Sequence, residues 1–377
     1  MSSRRRRGRS RAAALLAIAL APSAARAEPG VEILPLPFPV AEFRGPASDL
    51  ARALPSAKAV VGERPLPPGP HAAAWGRMGG AVIALVGGRV QASPFAIAPG
   101  DEPPIPEAPR DAIPFSRRQS QGPLTAFLAE PRTEYRHGAL GDGIEAGRLV
   151  IQEREGLPGI STQPRPVPVH ARSLPAGEGA VFEDLEPRLA DLDRDGTPEI
   201  LLVRSTLRGG SALAVVAKRD AAWRIVAETP SAGQPHRWLN PAAVADFDGD
   251  GRTDIALVRT PHGDGVLQVW TWTTGGPAAG GLALKHEAAG YSNHAFGSTA
   301  TDLATGVDLD GDSRPELIVP TLDRRDLVVL SLREGVRELR RIPLPARVER
   351  GVAALGMGRD THVLAALEDG RIAVVRP

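Results

Sequence analysis

Three short stretches in the second half of the chain space acidic side chains as a hard metal ion requires. Asp191, Asp193, Asp195 and Glu199 stand at positions 1, 3, 5 and 9 of the first, Asp246, Asp248, Asp250 and Asp254 of the second, and Asp308, Asp310, Asp312 and Glu316 of the third. Position 6, where the chain must turn tightly, is Gly196, Gly251 and Ser313. Such spacing gathers several carboxylate oxygens around one centre, and oxygen is the donor that a calcium ion prefers. Four acids in nine residues repel one another without a counter-cation, which weighs against reading the stretches as merely solvated Asx turns. Position 6 calls for positive φ, which glycine adopts freely and which costs Ser313 on the order of 1 kcal/mol.

The elements around these loops must be strands. An EF-hand needs a bidentate acid at position 12, but that position is Leu202, Leu257 and Val319. Each loop instead follows a short strand-like segment (188–190, 242–245, 305–307) and leads into an aliphatic run (200–203, 255–258, 317–319). A second run comes at 213–216, 266–270 and 327–330, and a third at 223–226, 282–284 and 339–342. Each unit therefore reads as a four-stranded meander in which the acidic loop joins the first strand to the second.

The first acids are 55 and 62 residues apart, and four-stranded units at such a period mark a β-propeller. Weaker units flank the clear ones. Segments 81–97 and 362–375 read as hairpins, and 134–151 holds Gly141, Asp142, Gly143 and Glu145 like an eroded acidic loop. The expected fold is all-β, a propeller of six or seven four-stranded blades, with the proline-rich stretch 31–61 supplying a seventh blade or part of one. Residues 31–34 are the candidate strand for closing the ring on the last blade. Segments 98–121 and 157–178 are read as surface excursions between blades.

These loops resemble the FG-GAP or VCBS repeat, the blade unit of integrin α-chain propellers and of many secreted bacterial proteins, most clearly over residues 180–345. Phe296 and Gly297 precede the third loop as the repeat's FG element does, while its Gly-Ala-Pro element is missing after every strand. The resemblance implies that side chains at positions 1, 3, 5 and 9, with the carbonyl at 7, coordinate calcium. The implied ligands are Asp191, Asp193, Asp195, Thr197 and Glu199; Asp246, Asp248, Asp250, Arg252 and Asp254; and Asp308, Asp310, Asp312, Arg314 and Glu316. Up to three structural calcium ions follow.

Composition narrows the rest. Arg4–Arg7, Arg9 and Arg11 precede the apolar run 12–21 and then Ala25, Arg26 and Ala27, which reads as a secretory signal over 1–27, leaving 28–377 as a single propeller domain. The run is too short for a permanent span. The 377-residue chain carries a formal charge of +1, and loss of the arginine-rich leader makes it mildly acidic, against nucleic-acid binding. Its lack of cysteine excludes thiol chemistry and disulfide staples, and 41 Gly with 37 Pro favour short strands and turns.

No catalytic motif is legible. The eight histidines show no HExxH spacing and no GxSxG is present. Residues 137–142 and 291–294 concentrate polar and aromatic side chains, and read either as blade-closing turns or as the lining of a channel mouth. Trp270 and Trp272 share a strand face and read chiefly as blade-to-blade packing. The expectation is an exported, periplasmic or extracellular binding or scaffold module, a monomer that takes a protein or carbohydrate ligand. The alternative is a polysaccharide lyase or glycosidase, which requires ionisable side chains converging on the axis outside the acidic loops.

Overall fold

The computed structural model describes residues 30–54, 69–97, 103–156, 166–273 and 281–377. The proposed leader at 1–27 lies outside the described residues. The described residues hold twenty-five short strands, one five-residue α-helix and a three-residue 3-10 helix (Gly358–Asp360).

After β1 (Val31–Ile33), the strands form six antiparallel blades, four of them separate four-stranded sheets, while the second and third are joined into one nine-stranded sheet where Phe182 pairs with Ala146. Blade I is β2 (Glu42–Arg44), β3 (His71–Gly76), β4 (Gly79–Val86) and β5 (Arg89–Phe95), with helix α1 (Asp49–Ala53) after its first strand. Blade II is β6 (Gln119–Gln121), β7 (Leu124–Arg132), β8 (Glu145–Arg154) and β9 (Val169–Pro175). Blade III opens on an interrupted strand, β10 (Ala180–Phe182) and β11 (Arg188–Ala190), followed by β12 (Glu199–Thr206), β13 (Gly210–Arg219) and β14 (Ala222–Glu228). Blade IV is β15 (Leu239–Ala245), β16 (Asp254–Arg259), β17 (Val266–Thr273) and β18 (Gly281–Ala289). Blade V is β19 (Thr305–Val307), β20 (Glu316–Pro320), β21 (Asp326–Ser331) and β22 (Arg337–Pro343). Blade VI is β23 (Val348–Leu355), β24 (His362–Leu367) and β25 (Ile372–Val375), completed by β1.

That last pairing closes the ring. β1 runs antiparallel to β25 with Val31 opposite Val375 and Ile33 opposite Ala373, so the start of the described chain supplies the outer strand of the final blade. Among the described residues the proline-rich stretch thus adds no seventh blade: it supplies this closing strand, β2 and α1.

Apolar seams join the blades, because one sheet cannot bury both of its faces by itself. Phe43 and Ile83 of blade I meet Leu364 and Val374 of VI, and Ile318 and Val329 of V meet Val352 and Val363 of VI. Leu128 and Ile151 of II meet Ile200 and Val216 of III. Leu201 and Leu213 of III meet Ile255, Trp270 and Trp272 of IV, so both tryptophans do pack blade to blade. Ala256 and Leu267 of IV meet Leu317 and Val328 of V.

The sixth seam, between I and II, is built differently. Leu50, Ala51 and Leu54 of α1 cover Ala73, Trp75 and Phe95 of blade I, while Ala112 packs on Phe127 and Val150 of blade II. Asp49 accepts from Ser120 Oγ at 2.8 Å, and Arg44 pairs with Glu107 at 2.8 Å across the gap. Residues 103–118 are therefore a wedge, with Ile113 and Arg117 buried. The expected excursion at 98–121, of which 98–102 lie outside the described residues, does keep an exposed side, but it also buries Ile113, Ser116 and Arg117, because hydrophobic spacing says nothing of a coil that fills a gap. The 157–178 excursion likewise contains β9, an outer strand whose largely exposed residues leave no apolar alternation to detect.

Candidate cation seats and the opposite mouth

In a four-stranded meander the first turn and the third lie on one face of the ring, and the second turn and the link to the next blade lie on the other. All three acidic loops are first turns, so they share a face. The segment holding Gly141, Asp142 and Gly143 joins β7 to β8 and lies on the opposite face, so it is not an eroded counterpart of them.

Each loop is organised by the same hydrogen bonds. The position-1 carboxylate accepts from the position-6 amide: Asp191 from Gly196 at 3.0 Å, Asp246 from Gly251 at 2.9 Å, Asp308 from Ser313 at 2.8 Å. The position-5 carboxylate accepts from the position-7 amide, Asp195 from Thr197, Asp250 from Arg252 and Asp312 from Arg314. Ser313 does take φ 68°, beside 88° at Gly196 and 86° at Gly251. Position 4 also turns left-handed, at Arg194 (62°), Gly249 (75°) and Gly311 (83°), a demand not read from the sequence.

Position 9 opens the second strand and is buried in every loop: Glu199 is 2 %, Asp254 1 % and Glu316 3 % exposed. The longer glutamates use one oxygen to accept from the position-2 amide, Leu192 at 2.9 Å and Leu309 at 3.0 Å. Desolvation raises the pKa of all three, Glu199 to about 7.

Donor oxygens of Asp191, Asp193 and Glu199 lie within 4.8 Å of one another, as do those of Asp246, Asp248 and Asp250, and of Asp308, Asp310 and Glu316. The convergence thus omits Asp195, Asp312 and Asp254. Thr197, Arg252 and Arg314, assigned as carbonyl donors, are exposed rim residues.

A cation already stands among these acids. In the second loop Lys285 Nζ contacts Asp248 Oδ2 and lies 3.4 Å from Asp250 and 3.3 Å from Asp254. In the third, Arg333 lies 2.6 Å from Asp312 and 3.3 Å from Glu316. In the first, Arg219 lies 3.3 Å from Asp193 and 3.8 Å from Glu199. The donor set suits a hard dication, and these stand-in cations mark where positive charge is held. None of the three was legible as a site residue, since each lies on another strand or turn of its blade.

The opposite face gathers four of the eight histidines. His137 Nδ1 bonds to the fully buried Glu183 at 2.5 Å, and its ring stacks on His236. His262 Nε2 lies 2.8 Å from His294 Nδ1, and the exposed Phe296 ring meets both His137 and His262 edge-on. Burial, then the neighbouring His262, keeps the His294 pKa well below the ordinary range. Gly297 N, just beyond segment 291–294, donates to Ala139 O of segment 137–142 at 2.8 Å, so the two stretches of chain meet over the mouth.

Beneath this cap the axis is filled by ion pairs. Arg117, from the blade II side, binds Glu186 of blade III at 3.0 Å and reaches Thr299 O and Thr301 Oγ beside blade V at 2.9 and 2.7 Å. Blades II and V are opposite in a ring of six, so this guanidinium crosses the centre. Burial opposes ionisation of Glu186, but Arg117 holds its pKa well below the usual carboxylate range. Ionisable groups thus converge at the axis, as the enzyme alternative requires, yet they are paired with one another.

Comparison with known proteins agrees with the loops. A family profile described as the FG-GAP-like repeat matches residues 191–257, spanning the first and second acidic loops, so the chain carries an FG-GAP-like repeat. No curated protein matches the chain. Among solved structures, the Myceliophteria thermophila Cps50 (Swd1) β-propeller domain is similar at 12% identity with a TM-score of 0.42, covering 80% of each chain.

Proposed function

We propose that the protein is an exported β-propeller that acts as a binding or scaffold module, with the three acidic loops taking calcium to brace the first turns of blades III, IV and V. One observation carries this reading: the same carboxylate cage recurs three times on one face, organised by the same amide hydrogen bonds and holding positive charge. The residues that would hold calcium are Asp191, Asp193 and Glu199, then Asp246, Asp248 and Asp250, then Asp308, Asp310 and Glu316, the groups whose donors converge. The ion's role would be structural, drawing the carboxylates together.

A scaffold reading is supported by the axis, where arginine and carboxylate side chains neutralise one another instead of facing a ligand. Partners would be protein or carbohydrate, met by a monomer. Export rests on the leader at 1–27. No helix among the described residues is long and apolar enough to cross a membrane.

At an extracellular-type Kd of about 1 mM and similar free calcium, each site adds only about 0.4 kcal/mol, and a site a hundredfold tighter nearly 3. Exhaustive chelation is expected to lower the melting temperature and calcium to restore it; a melt indifferent to both removes the metal from the proposal. A lyase or glycosidase has one observation on its side, the His137–Glu183 pair at the capped mouth. Assay of the same preparation against charged polysaccharides separates the two readings.

A further inference from the structure

Across the three blades the cation in the acidic loop is retained while its source changes. A β-bulge interrupts the pairing of third and fourth strands at the same place in each blade, at Val216, Trp270 and Leu330. Three residues further on, blades III and V carry Arg219 and Arg333, the guanidiniums found in their loops, whereas blade IV carries Thr273.

Blade IV makes good the loss from the other side of its hairpin. The bulged residue is Val226 in blade III and Leu339 in blade V, both apolar; in blade IV it is Lys285. A bulge re-aims the side chain it carries, and this one delivers the ammonium onto Asp248, Asp250 and Asp254. A lysine standing where the sibling blades carry Val and Leu, in the one blade without the arginine, is the mark of a required charge.

We propose that the acidic loops are seats for tethered cations, so that Arg219, Lys285 and Arg333 compete with calcium for the same carboxylates and set its affinity. This rests on the calcium reading above. In the second loop the four acids already face Lys285 together with Arg252, which binds Asp250 at 2.6 Å, and Arg194, 3.4 Å from Asp246. Calcium entering such a loop must displace a positive side chain, a barrier absent from a loop of bare carboxylates. The tethered charge keeps each turn closed when calcium is scarce.

The test is Lys285→Leu, which copies the residue blade V carries at the bulge, with Arg333→Met as the second variant at another loop. Calcium binding is read by titration calorimetry and by terbium luminescence, and folding by melts in chelator and in calcium. Each variant is expected to bind one calcium at least tenfold more tightly than the natural protein, and to lose more melting temperature on chelation. If the natural protein binds calcium and both variants bind it equally well, the tethered-cation proposal falls while the calcium reading stands. If neither the natural protein nor either variant binds calcium, both fall. A variant that folds only with calcium supports the proposal, because the lost tether has then become a requirement for the ion.

Discussion

Asp302 shows how a single charge at the axis is tuned. Burial, then the nearby Glu186, pushes its carboxyl up to about 6, while Arg117 and Arg44 pull the other way. A carboxyl whose folded pKa exceeds its unfolded one stabilises the fold most below the unfolded value, and that contribution is lost as pH rises through the folded value. The window here runs from about pH 4 to about pH 6 and slightly above. Asp302→Asn is therefore expected to gain roughly 1–3 kcal/mol over the natural protein at pH 8 and nothing at pH 4. Urea titrations at the two pH values measure this, and an equal effect at both would place the cost of Asp302 in packing.

At the scale of elements, the seam between blades I and II differs from the other five. It depends on α1, a helix of five residues capped by Ser48 Oγ, which accepts from Ala51 N at 3.1 Å. A helix this short has no stability of its own, so it is held by Leu50 and Leu54 against blade I. Leu54 is fully buried, and Leu54→Ala is expected to cost about 2–5 kcal/mol. The loss should be local: hydrogen exchange should quicken in β3 to β5 and α1 before the blades III to V respond. Uniform acceleration throughout the ring would mean that this seam is as firmly coupled as the others.

At the scale of the whole molecule, closure depends on a three-residue strand. Leu34 N donates to Ile372 O at 2.9 Å, and antiparallel alternation makes Glu32 opposite Val374 the next hydrogen-bonded pair along β1. Glu32→Pro removes that donor from an exposed position without touching the core. It is expected to cost about 1–3 kcal/mol and to expose β25 to hydrogen exchange. A variant as stable as the parent, with β25 still protected, would show that the side-by-side packing of blades I and VI closes the ring without β1.

The acidic loops and the four-strand period were legible in the chain because each is local: a turn needs its glycine, a cage its carboxylates, and a buried strand its aliphatic run; the closing strand was legible as a segment, although its pairing with β25 spans the chain. Ser313 at φ 68° is of the same kind, a conformation dictated by its place in the loop. Tertiary structure alone decided what those loops face. Lys285, Arg219 and Arg333 reach the acids only because bulged or neighbouring strands fold back over the first turn, and Ile113 and Arg117 of the wedge at 103–118 are buried only because a gap between two blades awaits them. His137 and Phe296 are far apart in the chain, and their rings meet over the mouth for the same reason. Charge compensation acts through space across any separation in sequence, whereas periodicity reports only neighbours, so one chain can state its architecture openly and still conceal the partners of its own charges.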